Sequence, residues 1–202
     1  FKGEIYSQRR NNALKDLSFE AACKINFSNL SAIYGFGADT ELAHAMSVST
    51  QVADILYPQL TAGIAPTIVP VGIDQDPHIR LTRDVTNALR MFFVEDRKTH
   101  ISIRAKNASP EAISAVAKAF KGSKKYEGHI DLPAGFTVDE VETVVRRIEQ
   151  EFGGFGFMLP SSTYHSFLMG LQGGKMSSSV PDSLVWFDDA EKDVKKKIMS
   201  AV

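Results

Sequence analysis

Three short stretches of the sequence hold side chains whose types and spacing suit chemistry. Asp74 and Gln75 follow an apolar run, Thr67-Ile-Val-Pro-Val-Gly-Ile73, and precede a helix-like segment. Open α/β sheets bind ligands beyond the carboxyl ends of their strands. A carboxylate there can accept hydrogen bonds from two vicinal ribose hydroxyls, and an amide can both donate to and accept from a small polar substrate. The competing account is that Asp74 and Asp76 cap the next helix, and spacing leaves both open. Gly173-Gly-Lys-Met-Ser-Ser-Ser179 joins backbone N–H groups, hydroxyls and one ammonium, the parts of a phosphate site that can close over a nucleotide. It lacks the Walker spacing, and a plain Gly/Ser linker accounts for the run equally well. Gln51 and Asp54, three residues apart, share a helix face, where each suits a ligand or simply a wet surface. The five histidines show no H-E-x-x-H pattern and there is no cysteine cluster, so no protein-bound metal is expected.

A scaffold must position these residues, and 202 residues suffice for one sizeable core with an appended subdomain. Lys and Arg number 23 against 24 acidic residues, a formal charge of -1, so any polyanion contact must be local. The single cysteine, Cys23, excludes an internal disulfide; it reads as a buried thiol in a reducing compartment. Apolar runs are far shorter than the ~20 residues of a membrane span. The sequence starts at Phe1 and stops at Val202 inside a helix-like run, and reads as a piece of a longer chain.

Asp39 and Thr40 are N-cap candidates for a helix through Leu42 and Met46 to Leu56, ended by Tyr57-Pro58. Thr67–Ile73 reads as a strand buried on both faces, and Asp76 as the cap of a helix with Pro77 in its first turn. From residue 94 the texture changes. His100-Ile-Ser-Ile-Arg104 alternates like a strand with one wet face. Ser109-Pro-Glu111 opens a helix that Gly122 closes, and Thr137 with Glu140 forms a capping box for another that runs to Gly153. Lys121, Lys124 and Lys125 lie between them, either as a solvated turn or as contacts to RNA phosphates. Ser183-Leu-Val-Trp-Phe187 reads as a strand, with a basic helix from Asp188 or Asp189.

Taken in order, these stretches resemble one family. Pro70-Val-Gly-Ile-Asp-Gln-Asp-Pro-His-Ile-Arg-Leu-Thr-Arg-Asp84 is similar to the nucleotide and amino-acid binding segment of tryptophanyl-tRNA synthetases. Lys175-Met-Ser-Ser-Ser179 resembles the K-M-S-K-S signature of class I synthetases. Gln51-Val-Ala-Asp-Ile-Leu56 resembles the substrate-reading helix of tryptophanyl- and tyrosyl-tRNA synthetases, and Leu159-Pro-Ser-Ser-Thr-Tyr-His165 through Gln172 the approach to the signature loop. The likeness covers nearly the whole chain, least clearly 94–153, and points to the archaeal and eukaryotic branch.

The resemblance implies an α/β, Rossmann-like class I synthetase core, partial, with an α/β insertion. Residues 1–93 would be the second part of the core, 94–153 the insertion, 154–187 the return carrying the loop, and 188–202 the start of the C-terminal, anticodon-binding helices. It implies that Asp74 holds the ATP ribose, with Gly72, Met176 and Ser179 also in the ATP site, and that Lys175 and Ser177 act on the triphosphate. Gln51 and Gln75 would contact the amino acid, Gln51 at its α-amino group, and Asp54 the polar atom of its ring. An indole N–H and a phenol O–H are both donors, so the choice of tryptophan rests on Asp76 to Asp84. The implied partners are tryptophan, ATP with Mg²⁺, tRNA(Trp) and a second copy in a cytoplasmic homodimer. Ser178 stands where many signature loops have a second lysine, and no His-Ile-Gly-His segment is present, so the chain alone is expected not to form adenylate. The alternatives are a tyrosyl-tRNA synthetase, or a non-catalytic module that binds RNA or protein.

Overall fold

The computed structural model describes residues 5–166, 169–174, 176–177 and 179–201, so the expectations for Lys175 and Ser178 lie outside the described residues. The chain divides into two compact units, Phe1–Val69 with Gln75–Thr163, and Pro70–Asp74 with Tyr164–Val202.

Two apolar clusters fill the first unit. In the first, α1 (Asn12–Ala22), α2 (Phe27–Tyr34), α3 (Leu42–Ala62) and α4 (Asp76–Leu89) bury Leu14, Leu17, Leu30, Val52, Leu56 and Leu81, with Phe157 among them. Asn11 and Asn26 cap α1 and α2 through their side chains, accepting from the N–H of Leu14 at 3.1 Å and of Asn29 at 2.9 Å. Cys23 is exposed rather than buried, because α1 ends at Ala22 and Cys23 is its C-cap.

Helix α3 does not stop at Pro58 but runs on to Ala62. A proline inside a helix removes one backbone bond and crowds the preceding turn. Burial on either side offsets this: Leu56 is fully buried, and Gln59, 4% exposed, exchanges hydrogen bonds with the backbone of Met158 at 2.8 and 3.1 Å. Neither Asp39 nor Thr40 caps α3. Glu41 is the N-cap residue, while Thr40 Oγ1 accepts from the Gly37 N–H at 2.9 Å.

The second cluster belongs to an antiparallel sheet of β2 (Phe92–Asp96), β3 (Ile101–Ala105), β4 (Lys124–Lys125) and β5 (His129–Asp131), in the order β2-β3-β5-β4. Helices α5 (Pro110–Ala119) and α6 (Val138–Glu151) bury their apolar faces with Phe92, Ile101, Ile103 and Ile130. Alternation sends the neighbouring residues Ser102, Arg104, His129 and Asp131 to the other face. The Thr137–Glu140 capping box is present, and Ser109 caps α5. Helix α5 ends at Ala119, before Gly122, which takes a left-handed turn at φ +82.

Buried charges tie the two clusters together. Arg146, 0% exposed, donates to Glu149 at 2.6 Å, to Glu142 at 2.8 Å and to the Phe92 carbonyl at 2.7 Å. Glu149 also accepts from the N–H groups of Met91 and Phe92, both at 2.8 Å, and Arg90 donates to the Phe157 carbonyl at 3.0 Å. Burial pushes the Glu149 carboxyl up, against the opposing pull of Arg146.

Strand β1 (Ile68–Gly72) pairs with β6 (Ser161–His165), and the division into units falls inside both strands. The expected two-sided burial of β1 is not found, since Ile68 is 64% exposed; among the described residues β1 has one partner strand, β6. In the second unit, Ser183–Phe187 is not a strand. Residues 181–183 form a 3-10 turn, Phe187 is exposed, and α7 (Glu191–Met199) starts after Ala190. Asp189 lies ahead of α7 and binds Lys197 at 2.6 Å and the Trp186 N–H at 2.8 Å. Among the described residues, no helix is long and apolar enough to cross a membrane.

Candidate active site

On α3, alternate faces do different work. Val52, Ala53 and Leu56 are buried, while Gln51 and Asp54 stand at the edge of the core, half-buried. The 3-10 turn Ile73–Gln75 leads straight into α4, so Asp76 is already its first helical residue and Gln75 is the N-cap, without a side-chain cap bond. Asp76 therefore does not cap; it pairs instead with Arg80 at 2.5 Å. This geometry sends the Gln75 side chain to α3, where Gln51 Nε2 donates to Gln75 Oε1 at 3.3 Å. The two amides are adjacent, and an amide is a group that can both donate to and accept from a polar ligand.

Asp54 is engaged from the N-terminal segment. The Tyr6 hydroxyl donates to one carboxylate oxygen at 3.2 Å, and Gln8 Nε2 donates to the other. The Tyr6 ring packs on Tyr57 with centroids 5.1 Å apart. Nothing in the spacing pointed to Tyr6 or Gln8, which reach Asp54 across 48 and 46 residues of chain. Early in α4, Nδ1 of His78 lies 2.8 Å from the Tyr34 hydroxyl, and burial pushes that phenol up to about 12. Gln59 also lay outside the sequence reading, because a helix ended at Pro58 would not have carried it; it fixes α3 to residue 158 and donates to Thr67 Oγ1 at 3.2 Å.

The second unit holds Asp74 and the described part of the signature loop. Asp74 folds back over Gly72: a Cβ there would lie 2.7 Å from Asp74 Oδ1, so position 72 admits no side chain without moving the carboxylate. Ile73, Tyr164, His165 and Ser166 line a cleft of about 370 Å³. In the loop, the Gly170 N–H donates to the Gly174 carbonyl at 2.7 Å, and Gly173 turns at φ +75. Ser183, 4% exposed, holds the base: its Oγ accepts from the Ser177 N–H at 3.1 Å and lies 3.0 Å from the Ser177 carbonyl and 2.7 Å from that of Val180. Ser177 and Ser179 hydroxyls meet at 2.8 Å, and Met176 is partly exposed beside them. Reading Ser183 as the start of a strand hid this role.

Thus the structure joins Gln51 to Gln75 and Ser177 to Ser179, places Asp54 on the Gln51 face of α3, and sets Asp74 against Gly72. The profile of the family described as tRNA synthetases class I (W and Y) matches residues 2–125 and 140–202. The sequence is 48% identical to a tryptophan–tRNA ligase of Methanosarcina acetivorans over 98% of this chain and 48% of that one. With the tryptophan–tRNA ligase of Archaeoglobus fulgidus the identity is 45%, over 98% and 47%. The chain spans about half the length of these curated relatives. Among solved structures it is similar to the tryptophanyl-tRNA synthetase of Aeropyrum pernix, with a TM-score of 0.56 and 28% identity over 98% of this chain and 37% of that one. Its α/β fold is part of the catalytic core shared by these enzymes, and the chain belongs to the class I tRNA synthetases of the tryptophan and tyrosine family.

Proposed function

We propose that this chain is the tryptophan-reading and ATP-closing part of a tryptophan–tRNA ligase. The observation that carries the reading is the 48% identity, over 98% of the chain, to an archaeal protein of that name. The geometry agrees with it. The Gln51–Gln75 amide pair offers acceptors to an α-ammonium and donors to a carboxylate, which a free amino acid presents together. Asp54 accepts the indole N–H, which then competes with Tyr6 for the carboxylate. Asp74 binds the ribose, with the bare Gly72 leaving room for its carboxylate, and Lys175, Met176, Ser177 and Ser179 close on the phosphates.

In the first step the tryptophan carboxylate, already ionised at neutral pH, attacks the α-phosphorus of ATP in line. A new C–O–P linkage forms as the bond to pyrophosphate breaks, giving tryptophanyl-adenylate. The residues of this chain contribute position and charge stabilisation, and Mg²⁺ arrives with the ATP. In the second step the activated acyl group passes to tRNA(Trp), releasing AMP. In the full protein, residues 1–93 and 154–187 belong to the catalytic core, 94–153 is an insertion, and 188–202 begins the C-terminal helices. The enzyme works as a cytoplasmic homodimer.

ATP–pyrophosphate exchange by the full-length parent protein, with tryptophan or tyrosine as the amino acid, tests this. Exchange driven by tryptophan and not by tyrosine is expected. Exchange driven by tyrosine, or by neither, would overturn it.

A further inference from the structure

The sheet β2-β3-β5-β4 has one face covered by α5 and α6, and the other face carries a set of groups that the proposed chemistry does not use. Register places Glu95, Ser102, Asp131 and Lys124 in one row across the strands, and Phe93, Arg104 and His129 in the next. Tyr126 extends the second row by stacking on His129, with centroids 4.6 Å apart and planes 10° from parallel. Between the rows and the strand ends lies a cavity of about 410 Å³ lined by Arg97, His100, Arg104, His129 and Asp131.

This face differs in charge from the chain as a whole, which is -1. Four cations, Arg97, Arg104, Lys106 and Lys124, stand against two acids, Glu95 and Asp131, an excess of two. Both acids are turned to organising their neighbours. Glu95 pairs with Arg97 and, at 3.2 Å, with Arg104; Asp131 lies 3.5 Å from His100 Nε2 and 3.8 Å from His129 Nε2. The guanidinium of Arg104 remains about half exposed, and so does the Tyr126 ring.

Arg97 and Arg104 around one cavity, beside an exposed, pre-stacked aromatic ring, suit a strand that presents phosphates and flat bases in alternation. A lone phosphate would use the cations and leave the ring idle. The sheet is also wider than such an ion: three strand spacings of about 4.8 Å give roughly 14 Å from β2 to β4. An acidic protein segment would complement the cations but gives no reason for an aromatic platform in their midst. We propose that this open sheet face binds a single-stranded segment of RNA, with phosphates at Arg97 and Arg104 and a base on Tyr126. The proposal rests on the reading of tRNA as the substrate and assigns that substrate a docking surface on the inserted sheet.

The test uses the full-length parent protein with Arg104→Glu, Tyr126→Ala and the conservative pair Arg104→Lys and Tyr126→Phe. Binding of a fluorescein-labelled single-stranded RNA of roughly 12 nucleotides, within the site sizes of sheet-type binders, is followed by anisotropy across salt concentrations. Tyr126→Ala is expected to weaken binding about tenfold, the loss of one stacked base. Arg104→Glu should weaken it at least as much and lower the salt slope by about one, and the conservative pair should bind within about threefold of wild type. The KM for tRNA should rise in step while tryptophan-dependent exchange stays unchanged. RNA affinity and KM for tRNA unchanged in the two disruptive variants would overturn the proposal. So would variants that instead alter the oligomeric mass or the unfolding midpoint with RNA affinity intact, since the face would then be covered by protein. Failure of the wild-type protein to exchange pyrophosphate with tryptophan would count against the proposed function, and RNA binding by this face is read separately from it.

Discussion

Gln51 and Asp54 project from a helix whose opposite face holds Val52, Ala53 and Leu56, each no more than 1% exposed, whereas Ser177 and Ser179 stand on a glycine-rich loop whose base is one buried serine. The amide pair is backed by a packed core, and Gln59 locks the same helix to residue 158. Among its described residues the loop takes its shape from hydrogen bonds rather than from a packed core: those to Ser183, the Gly170–Gly174 bond and the Ser177–Ser179 contact. Side chains that read the shape of a small amino acid gain from rigid support, because a misplacement of an ångström costs most of the recognition. Side chains that meet phosphates can sit on a loop that closes after the nucleotide has entered. The two constructions therefore suit the two tasks proposed for them.

The largest effect should come from breaking the support of the packed side. Arg146→Ala would leave the Glu149 carboxylate buried beside two backbone N–H groups and without its cation. Removing one partner of a buried ion pair costs about 3 to 5 kcal/mol. Urea unfolding of the chain should show a loss of that size, and a loss below about 1 kcal/mol would mean that the charges do not join the two clusters.

A smaller effect, confined to activity, should follow at the loop. Ser183→Ala removes the acceptor of the Ser177 N–H and the hydroxyl facing the Ser177 and Val180 carbonyls. Adenylate formation by the full-length enzyme should slow by roughly 5- to 30-fold, the equivalent of about 1 to 2 kcal/mol, with tryptophan affinity within about twofold. An unchanged rate would show that Ser183 does not shape the loop for catalysis.

These contrasts also mark what could be read from sequence. The Thr137–Glu140 box and the Ser109 cap were legible because each is a contact between residues three apart. The alternation of residues 100–104 was legible because Ile101 and Ile103 turn to the apolar cluster, but the other face is wet only in part: Arg104 is exposed and Ser102 is buried. Pro58 misled because its cost is local, whereas what offsets it, the pairing of Gln59 with Met158, spans 99 residues. The run Ser183–Phe187 misled because its β-favouring residues pair with no strand among the described residues, while the hydroxyl of Ser183 is drawn into the loop base. Asp54 could be placed on a helix face, but Tyr6 and Gln8 come from the far end of the chain and no local pattern names them.

The smallest effect is a titration. Burial raises the Tyr34 phenol from 10.0 to about 12, so the native chain keeps this proton where the unfolded chain has lost it. The stability linked to Tyr34 is then fully present below pH 10 and lost as pH rises through about 12. The difference in ultraviolet phenolate absorbance between the native chain and Tyr34→Phe should rise above pH 11, and a midpoint near the ordinary phenol value would place Tyr34 in solvent.

The division of labour between the helix and the loop is tested most directly by calorimetric titration of tryptophan into two variants of the full-length enzyme, Gln51→Ala and Lys175→Ala, beside single-turnover adenylate formation. Gln51→Ala should weaken tryptophan binding by about tenfold or more, as expected for a hydrogen bond to a charged group. Lys175→Ala should leave that affinity within about twofold and slow adenylate formation by roughly 10² to 10³, the cost of one charge-stabilising contact. Tryptophan affinity unchanged in Gln51→Ala, or lost equally in both variants, would contradict the assignment of substrate reading to α3 and of phosphate chemistry to the loop.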